Sequence, residues 1–323
     1  MDDKKKIFED LEHKHYRIFG KHSAVEICEW NKKALRNEGV CYKQKFYNVD
    51  CHRCAQITPT VLWCHQNCTF CWRPANYMKE WVMKGEVDDP KEIIEGLFAQ
   101  RIKLLSGFGG NQKVDQKLLK EGMIPSHVAI SLAGEPTIYP KLSEMVAYLK
   151  SRKEIKTIFI VTNGLEPDRL EELNNNDTLP TQLYLSIEAP TKEIHFKINR
   201  PKIKDSWEIF NRTLELMPKL KCRRVLRFTM IKDLNDSKDF LDKYVELFEK
   251  TDADFLEIKS YMFLGNSREN LKKENMPTLE EVQDFAKEIE KRSTKFKIID
   301  EQQASKIVLL KNKNSGYKNF IKD

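Results

Sequence analysis

Short apolar, β-branched runs recur along the chain at Gln56 to Trp63, His127 to Leu132, Thr157 to Val161, Gln182 to Ile187, Arg223 to Ile231 and Asp254 to Met262. Runs of this length and composition predict strands. Amphipathic stretches lie at Lys91 to Leu105, Lys141 to Lys150, Asp205 to Leu216, Asp236 to Phe248 and Thr278 to Lys291, where the apolar spacing predicts helices. Parallel neighbours need a crossover long enough to hold a helix, so the alternation predicts a parallel sheet. The fold class is α/β, an incomplete (β/α)6 barrel.

Such a barrel places its chemistry at the C-terminal ends of its strands. There the chain carries Cys64, Gly134-Glu135-Pro136, Asn163-Gly164 and Ser186-Ile187-Glu188. Residues 1–55 differ in texture, with many charges and four cysteines, and are expected to form a cysteine-bearing extension packed on a barrel of residues 56–265. Residues 266–323 are expected to form a helical and strand extension, with a basic tail that frays from Lys311.

The 323 residues suffice for a sizeable core. Lysine and arginine exceed aspartate and glutamate by seven, which fits either a polyanionic partner or a solvated lysine-rich surface. No stretch approaches the roughly 18 apolar residues of a membrane span, and Met1-Asp2-Asp3-Lys4-Lys5-Lys6 opens without an apolar leader. A cytoplasmic protein is the expectation.

Seven of the eight cysteines lie between Cys28 and Cys71, a clustering that favours metal over a disulfide framework. Cys64, Cys68 and Cys71 form CxxxCxxC, with Phe70 before the third thiol. Three thiolates can hold a [4Fe–4S] cluster and leave its fourth iron open for a ligand. The alternative is a zinc ribbon, for which Cys51, Cys54, Cys68 and Cys71 have near-suitable spacing. That reading leaves Cys28, Cys41 and Cys64 without a role. His52 and His65 flank the thiols and fit positions beside ligands better than ligands themselves.

The cysteine run and the alternating pattern resemble the radical S-adenosylmethionine enzymes from about Gln56 to Met262. In that superfamily Cys64, Cys68 and Cys71 would bind the cluster, and Gly134 and Glu135 would belong to the element receiving the methionyl amine of S-adenosylmethionine. Asn163, Ser186 and Glu188 would hold its ribose and methionyl parts. A closer resemblance, to the archaeal tRNA 4-demethylwyosine synthases, is carried by Cys41-Tyr42-Lys43-Gln44-Lys45-Phe46-Tyr47, His52-Arg53-Cys54, Ile130 to Thr137 and Glu257 to Met262. It implies a second [4Fe–4S] cluster on Cys28, Cys41 and Cys54. It also implies condensation of two pyruvate carbons with N1-methylguanosine 37 in the anticodon loop of tRNA(Phe).

Two routes for pyruvate stay open: chelation by an open iron, or a Schiff base on Lys43, with Lys45 as the second choice. Cys51 is a spare thiol, a fourth ligand or a substitute for Cys54, and Cys222 is expected in the core. The resemblance implies an external electron donor, because eukaryotic relatives carry a flavodoxin-like domain that this chain is too short to hold. The protein is expected to act as a monomer. Lys219 to Arg224 and Gly107 to Asn111 are candidate tRNA contacts, with solvated loop the favoured reading of both. A radical enzyme acting on another substrate is the second functional reading, and the zinc ribbon binding nucleic acid without catalysis is the third.

Overall fold

The computed structural model describes residues 2–321. The chain divides into two compact units, one of Met1–Trp63, Val82–Val161 and Asn319–Asp323, the other of Cys64–Trp81 and Thr162–Lys318.

In the first unit, β3 (Cys54–Thr58), β4 (His127–Ile130) and β5 (Thr157–Thr162) run parallel, with Ala55 opposite Val128 and Val128 opposite Ile158. β1 (Arg17–Phe19) and β2 (Ser23–Glu26) extend this sheet antiparallel, with Val25 opposite Ile57. The first 55 residues therefore contribute edge strands as well as helical patches. Strands this short carry too little alternation to stand out in the sequence.

β3 stops at Thr58, five residues before the apolar run ends. Pro59 has no N–H to continue the ladder. The Thr58 hydroxyl accepts the Thr60 N–H (3.0 Å) and donates to the Ala133 carbonyl (2.5 Å), which turns the chain towards Cys64. The helix Pro90–Ser106 begins under an Asp89 cap that accepts the N–H groups of Lys91 and Glu92 at 2.9 and 3.2 Å. It buries Ile93, Ile94, Leu97, Phe98 and Leu105, each worth about 1.5–3 kcal/mol.

In the second unit, β6 (Gln182–Ser186), β7 (Arg223–Met230) and β8 (Phe255–Ser260) are parallel, with Leu185 opposite Leu226 and Leu226 opposite Leu256. β10 (Ile307–Asn312) pairs antiparallel with β8, and β9 (Phe296–Gln302) with β10. Phe228 of β7 meets Tyr244 and Phe285, from the helices Leu241–Lys250 and Leu279–Arg292, at ring separations of 4.9 and 5.2 Å.

All six expected strands and all five expected helices form. The stretch from Asp236 starts its α-helix only at Leu241, after a 3-10 turn over Lys238–Phe240. The basic tail departs from expectation. Lys311 and Asn312 belong to β10, and beyond them the Ser315 hydroxyl donates to Asp254 (2.8 Å) and the Arg223 guanidinium donates to the Lys318 carbonyl (2.5 Å). These bonds hold a segment whose polarity alone reads as loose.

Candidate active site

The loop bearing Cys64, Cys68 and Cys71 takes its shape from the end of the helix Lys192–Asn199 and the turn after it. The Thr69 N–H donates to the Ile198 carbonyl (2.8 Å), the Asn67 N–H to that of Asn199 (3.2 Å), and the Lys202 N–H to that of His65 (2.8 Å). Lys202 Nζ donates to the Cys64 carbonyl (2.8 Å) and also reaches the Met78 carbonyl. His65 Nε2 lies 2.9 Å from Glu166 Oε1, so the imidazole is anchored beside the thiols.

Asparagine amides address two of the sulfurs: Asn163 Nδ2 lies 3.9 Å from Cys64 Sγ and Asn199 Nδ2 lies 3.8 Å from Cys68 Sγ. Burial, and then the charges of Cys71 and Cys64, raise the Cys68 thiol well above the ordinary range. Burial also raises Cys71, against the N–H and positive charge of Arg73. Cys68 and Cys71 therefore resist ionisation until cationic metal offsets their charge.

Asn163, Ser186 and Glu188 line one cavity of about 190 Å³ together with Gln66, His195 and Asn199. Desolvation pushes the buried Glu188 carboxyl up to about 7, although Asn199 Nδ2 donates to it at 3.3 Å. Asn235 Nδ2 and the Tyr244 hydroxyl hold the Glu188 carbonyl at 3.0 and 3.1 Å. Among the described residues Asn199 Oδ1 is buried without a hydrogen-bond donor. Sequence reasoning missed Gln66, His195, Asn199 and Lys202. The one available signal was a helix capped by Thr191 and stopped at Asn199-Arg200-Pro201, where Arg200 turns left-handed with φ +43°.

Gly134 and Glu135 pack on the two turns of chain that precede Cys64. Gly134 has φ +71°, and a Cβ there would lie 1.8 Å from the Thr60 carbonyl and 2.6 Å from that of Trp63. Only glycine permits that approach. The Glu135 N–H donates to the Trp63 carbonyl (2.8 Å), and its buried carboxylate accepts the Thr137 N–H and hydroxyl at 3.1 and 2.6 Å.

The upstream cysteines also gather. Cys28, Cys41 and Cys54 lie within reach of one another's charge, and Cys51 lies within reach of Cys28 and Cys41. Burial, followed by neighbouring thiols, pushes Cys28 up to about 11 and Cys54 up to about 12; burial pushes Cys51 up to about 12. Asn31 Nδ2 pins the segment by donating to the carbonyls of Cys51, His52 and Cys54 at 3.0, 3.1 and 3.1 Å. The fully buried Arg101 donates to those of His52 and Cys54, both at 3.2 Å. Neither residue was singled out from the sequence. Cys51 Sγ donates to the Trp30 carbonyl (3.7 Å), and Cys222 is buried in the core as expected.

Lys43 stands beside this group. Its ammonium lies 4.7 Å from the centre of the Phe159 ring and within electrostatic reach of Cys54. Lys45, two positions along the same helix Tyr42–Tyr47, is exposed. His52 Nε2 contacts Glu121 Oε2 at 2.9 Å. Among the described residues no three histidine, cysteine, aspartate or glutamate side chains are arranged to hold a single metal ion.

Residues 58–243 match the Radical SAM superfamily, and residues 250–312 match the family described as Wyosine base formation. The chain belongs to the radical SAM superfamily. It is 44% identical to the S-adenosyl-L-methionine-dependent tRNA 4-demethylwyosine synthase of Pyrococcus horikoshii, over 95% of this chain and 88% of the relative. It is 39% identical to that of Methanocaldococcus jannaschii, over 95% and 96%. A solved structure of TYW1 with a lysine–pyruvate adduct bound superposes with a TM-score of 0.85 at 36% identity, covering 98% of this chain and 97% of that one. An archaeal TYW1 structure superposes at 0.79 and 32%, covering 98% and 99%. The chain thus belongs to the tRNA 4-demethylwyosine synthase family and has the α/β, mostly parallel radical SAM fold. Among the described residues no helix is long and apolar enough to cross a membrane.

Proposed function

We propose that this chain is a radical S-adenosylmethionine enzyme that condenses N1-methylguanosine 37 of tRNA(Phe) with two carbons of pyruvate to form 4-demethylwyosine. The observation that carries the reading is the presence of two separate thiol groups, with Lys43 beside the upstream one. Cys64, Cys68 and Cys71 hold one [4Fe–4S] cluster, and Cys28, Cys41 and Cys54 hold a second. The raised thiols of Cys28, Cys54, Cys68 and Cys71 suit a cationic cluster, because coordination replaces the protons that burial otherwise retains.

When bound, the first cluster supplies the electron that cleaves S-adenosylmethionine to a 5′-deoxyadenosyl radical. The chain's own residues orient the reactants. Asn163, Ser186 and Glu188 line the cavity for the cofactor, and Asn199 offers it a buried, undonated oxygen. Gly134 and Glu135 shape the strand end that faces the methionyl amine. The Lys43 amine attacks the keto carbon of pyruvate and releases water to form a Schiff base, consistent with the lysine–pyruvate adduct in the relative. Lys43 is favoured over Lys45 because Lys43 lies at the thiols. An external donor provides electrons, and the enzyme works in the cytoplasm as a monomer.

Anaerobic protein should contain about eight irons per chain, as two cubes require. It should convert methylated tRNA to the tricyclic base only when pyruvate is present. No product with pyruvate, or cofactor cleavage supported by other substrates alone, overturns the reading.

A further inference from the structure

Trp72 follows the last cysteine of the cluster loop and is 47% exposed. Its ring has one covered face. The Arg73 guanidinium lies 3.7 Å from the ring centre, at stacking distance, and Arg73 itself is buried. The backbone beneath is clamped. The Asn266 N–H donates to the Trp72 carbonyl (3.3 Å), and Gly265, with φ +52°, approaches so closely that a Cβ would lie 2.0 Å from that oxygen. Trp72 is therefore an aromatic plate fixed from below and open above.

Exposed cations lie on the segment bonded to the same loop. The segment that pins it, Phe196 to Lys204, exposes Lys197, Arg200 and Lys204 and contains no acidic residue, while Phe196 is itself 37% exposed. Arg200 donates to Asn270 Oδ1 (2.6 Å), five residues beyond the glycine that clamps Trp72. Aromatic plates interleaved with cations fit unpaired nucleic acid, since every base has a π-face and every linkage a phosphate. A folded protein partner would want a larger apolar patch.

We propose that the open face of Trp72 stacks an unpaired nucleobase of the RNA loop, with Lys197, Arg200 and Lys204 neutralising its backbone. The proposal rests on the tRNA reading above and adds a substrate-positioning residue to it. An indole backed by guanidinium gains both stacking and cation–π attraction on the covered side, so the plate keeps its orientation as the base arrives. A base held one residue from a cluster ligand would place its neighbour in the loop near the reacting atoms.

The test uses anaerobic holoprotein and a methylated anticodon stem-loop, read by fluorescence anisotropy. Trp72→Ala should weaken binding about tenfold, and Trp72→Phe should recover most of the loss, because one base–aromatic stack has that worth. Arg200→Gln should reduce the salt slope by about one. On stem-loops made abasic at single positions, the Trp72→Ala penalty should vanish at one position and persist at the rest. Because a variant can lose its cluster, wild-type protein is also photocrosslinked to loops carrying 5-iodouridine, with Trp72 the expected site of attachment. Wild-type binding that Trp72→Ala leaves unchanged, or crosslinks confined to other segments, overturns the stacking site alone. Failure of the wild type to bind the stem-loop overturns the tRNA reading with it.

Discussion

The two thiol groups are built by opposite means. Cys64, Cys68 and Cys71 span eight residues and are shaped mainly by main chain: the carbonyls of Ile198 and Asn199 and the N–H of Lys202 bond the loop backbone, with one side chain, the Lys202 ammonium, on the Cys64 carbonyl. Cys28, Cys41 and Cys54 are spread over 27 residues and are shaped by side chains, chiefly Asn31 and the buried Arg101. A contiguous loop can be held by any backbone that meets it. In the dispersed set Asn31, three residues after Cys28, reaches the carbonyls of Cys51, His52 and Cys54, so one amide ties the first segment to the last. The loop should therefore tolerate changes around it, whereas the upstream set should fail when one polar side chain is removed.

The largest expected contrast separates the two groups by role. Alanine at Cys64, Cys68 or Cys71 should abolish cleavage of S-adenosylmethionine, whereas alanine at Cys28, Cys41 or Cys54 should spare uncoupled cleavage and block the tricyclic product. Chromatography of 5′-deoxyadenosine and of digested tRNA reads both, and equal loss of cleavage from both sets would break the comparison. Next, Lys43→Ala should lower product formation roughly a hundredfold or more and remove the borohydride-trappable pyruvate adduct. Lys45→Ala should keep both. Trapping that survives Lys43→Ala would move the pyruvate site away from the upstream group.

Arg101→Met takes one of two side-chain donors from the His52 and Cys54 carbonyls and a donor from that of Gly122, and should cost about 3 kcal/mol in denaturant unfolding. Asn31→Leu should leave about four of the eight irons, with cofactor cleavage intact. Full iron occupancy in both variants would show that side chains do not hold the upstream set.

The smallest effect is a pH dependence near the downstream cavity. Desolvation lowers the buried His195 from its ordinary 6.5 to about 4. Its folded form binds the proton less readily than the unfolded chain does. Its contribution to stability is therefore complete above pH 6.5 and is lost as pH falls towards 4, by roughly 3 kcal/mol at most. His195→Gln should flatten the stability difference across that window in urea titrations. An unchanged slope would remove His195 as its source.

The positions of the strands and helices were largely legible, because amphipathic periods survive without knowledge of neighbours. Thr157 to Val161 and Arg223 to Ile231 fall within a residue of the observed ends. The β1–β2 pair was not legible, since strands of three and four residues show no period. The CxxxCxxC run announced itself through spacing, and Gly134-Glu135-Pro136 through its likeness to a superfamily element at a strand end. Asn31, Arg101, Asn199 and Lys202 gave no such sign, because each works on partners between 11 and 138 residues away.

By itself the sequence determined the class of fold, the family and the thiols available for metal, since these depend on local period and on residue type at short spacing. Only the tertiary structure decided that Lys43 rather than Lys45 stands at the upstream thiols. It alone showed that Asn163, Ser186 and Glu188 share a cavity with Asn199, and that Trp72 stays about half exposed. Those are matters of direction and distance between remote segments. They are set by how buried backbone finds its hydrogen bonds, which no local pattern records.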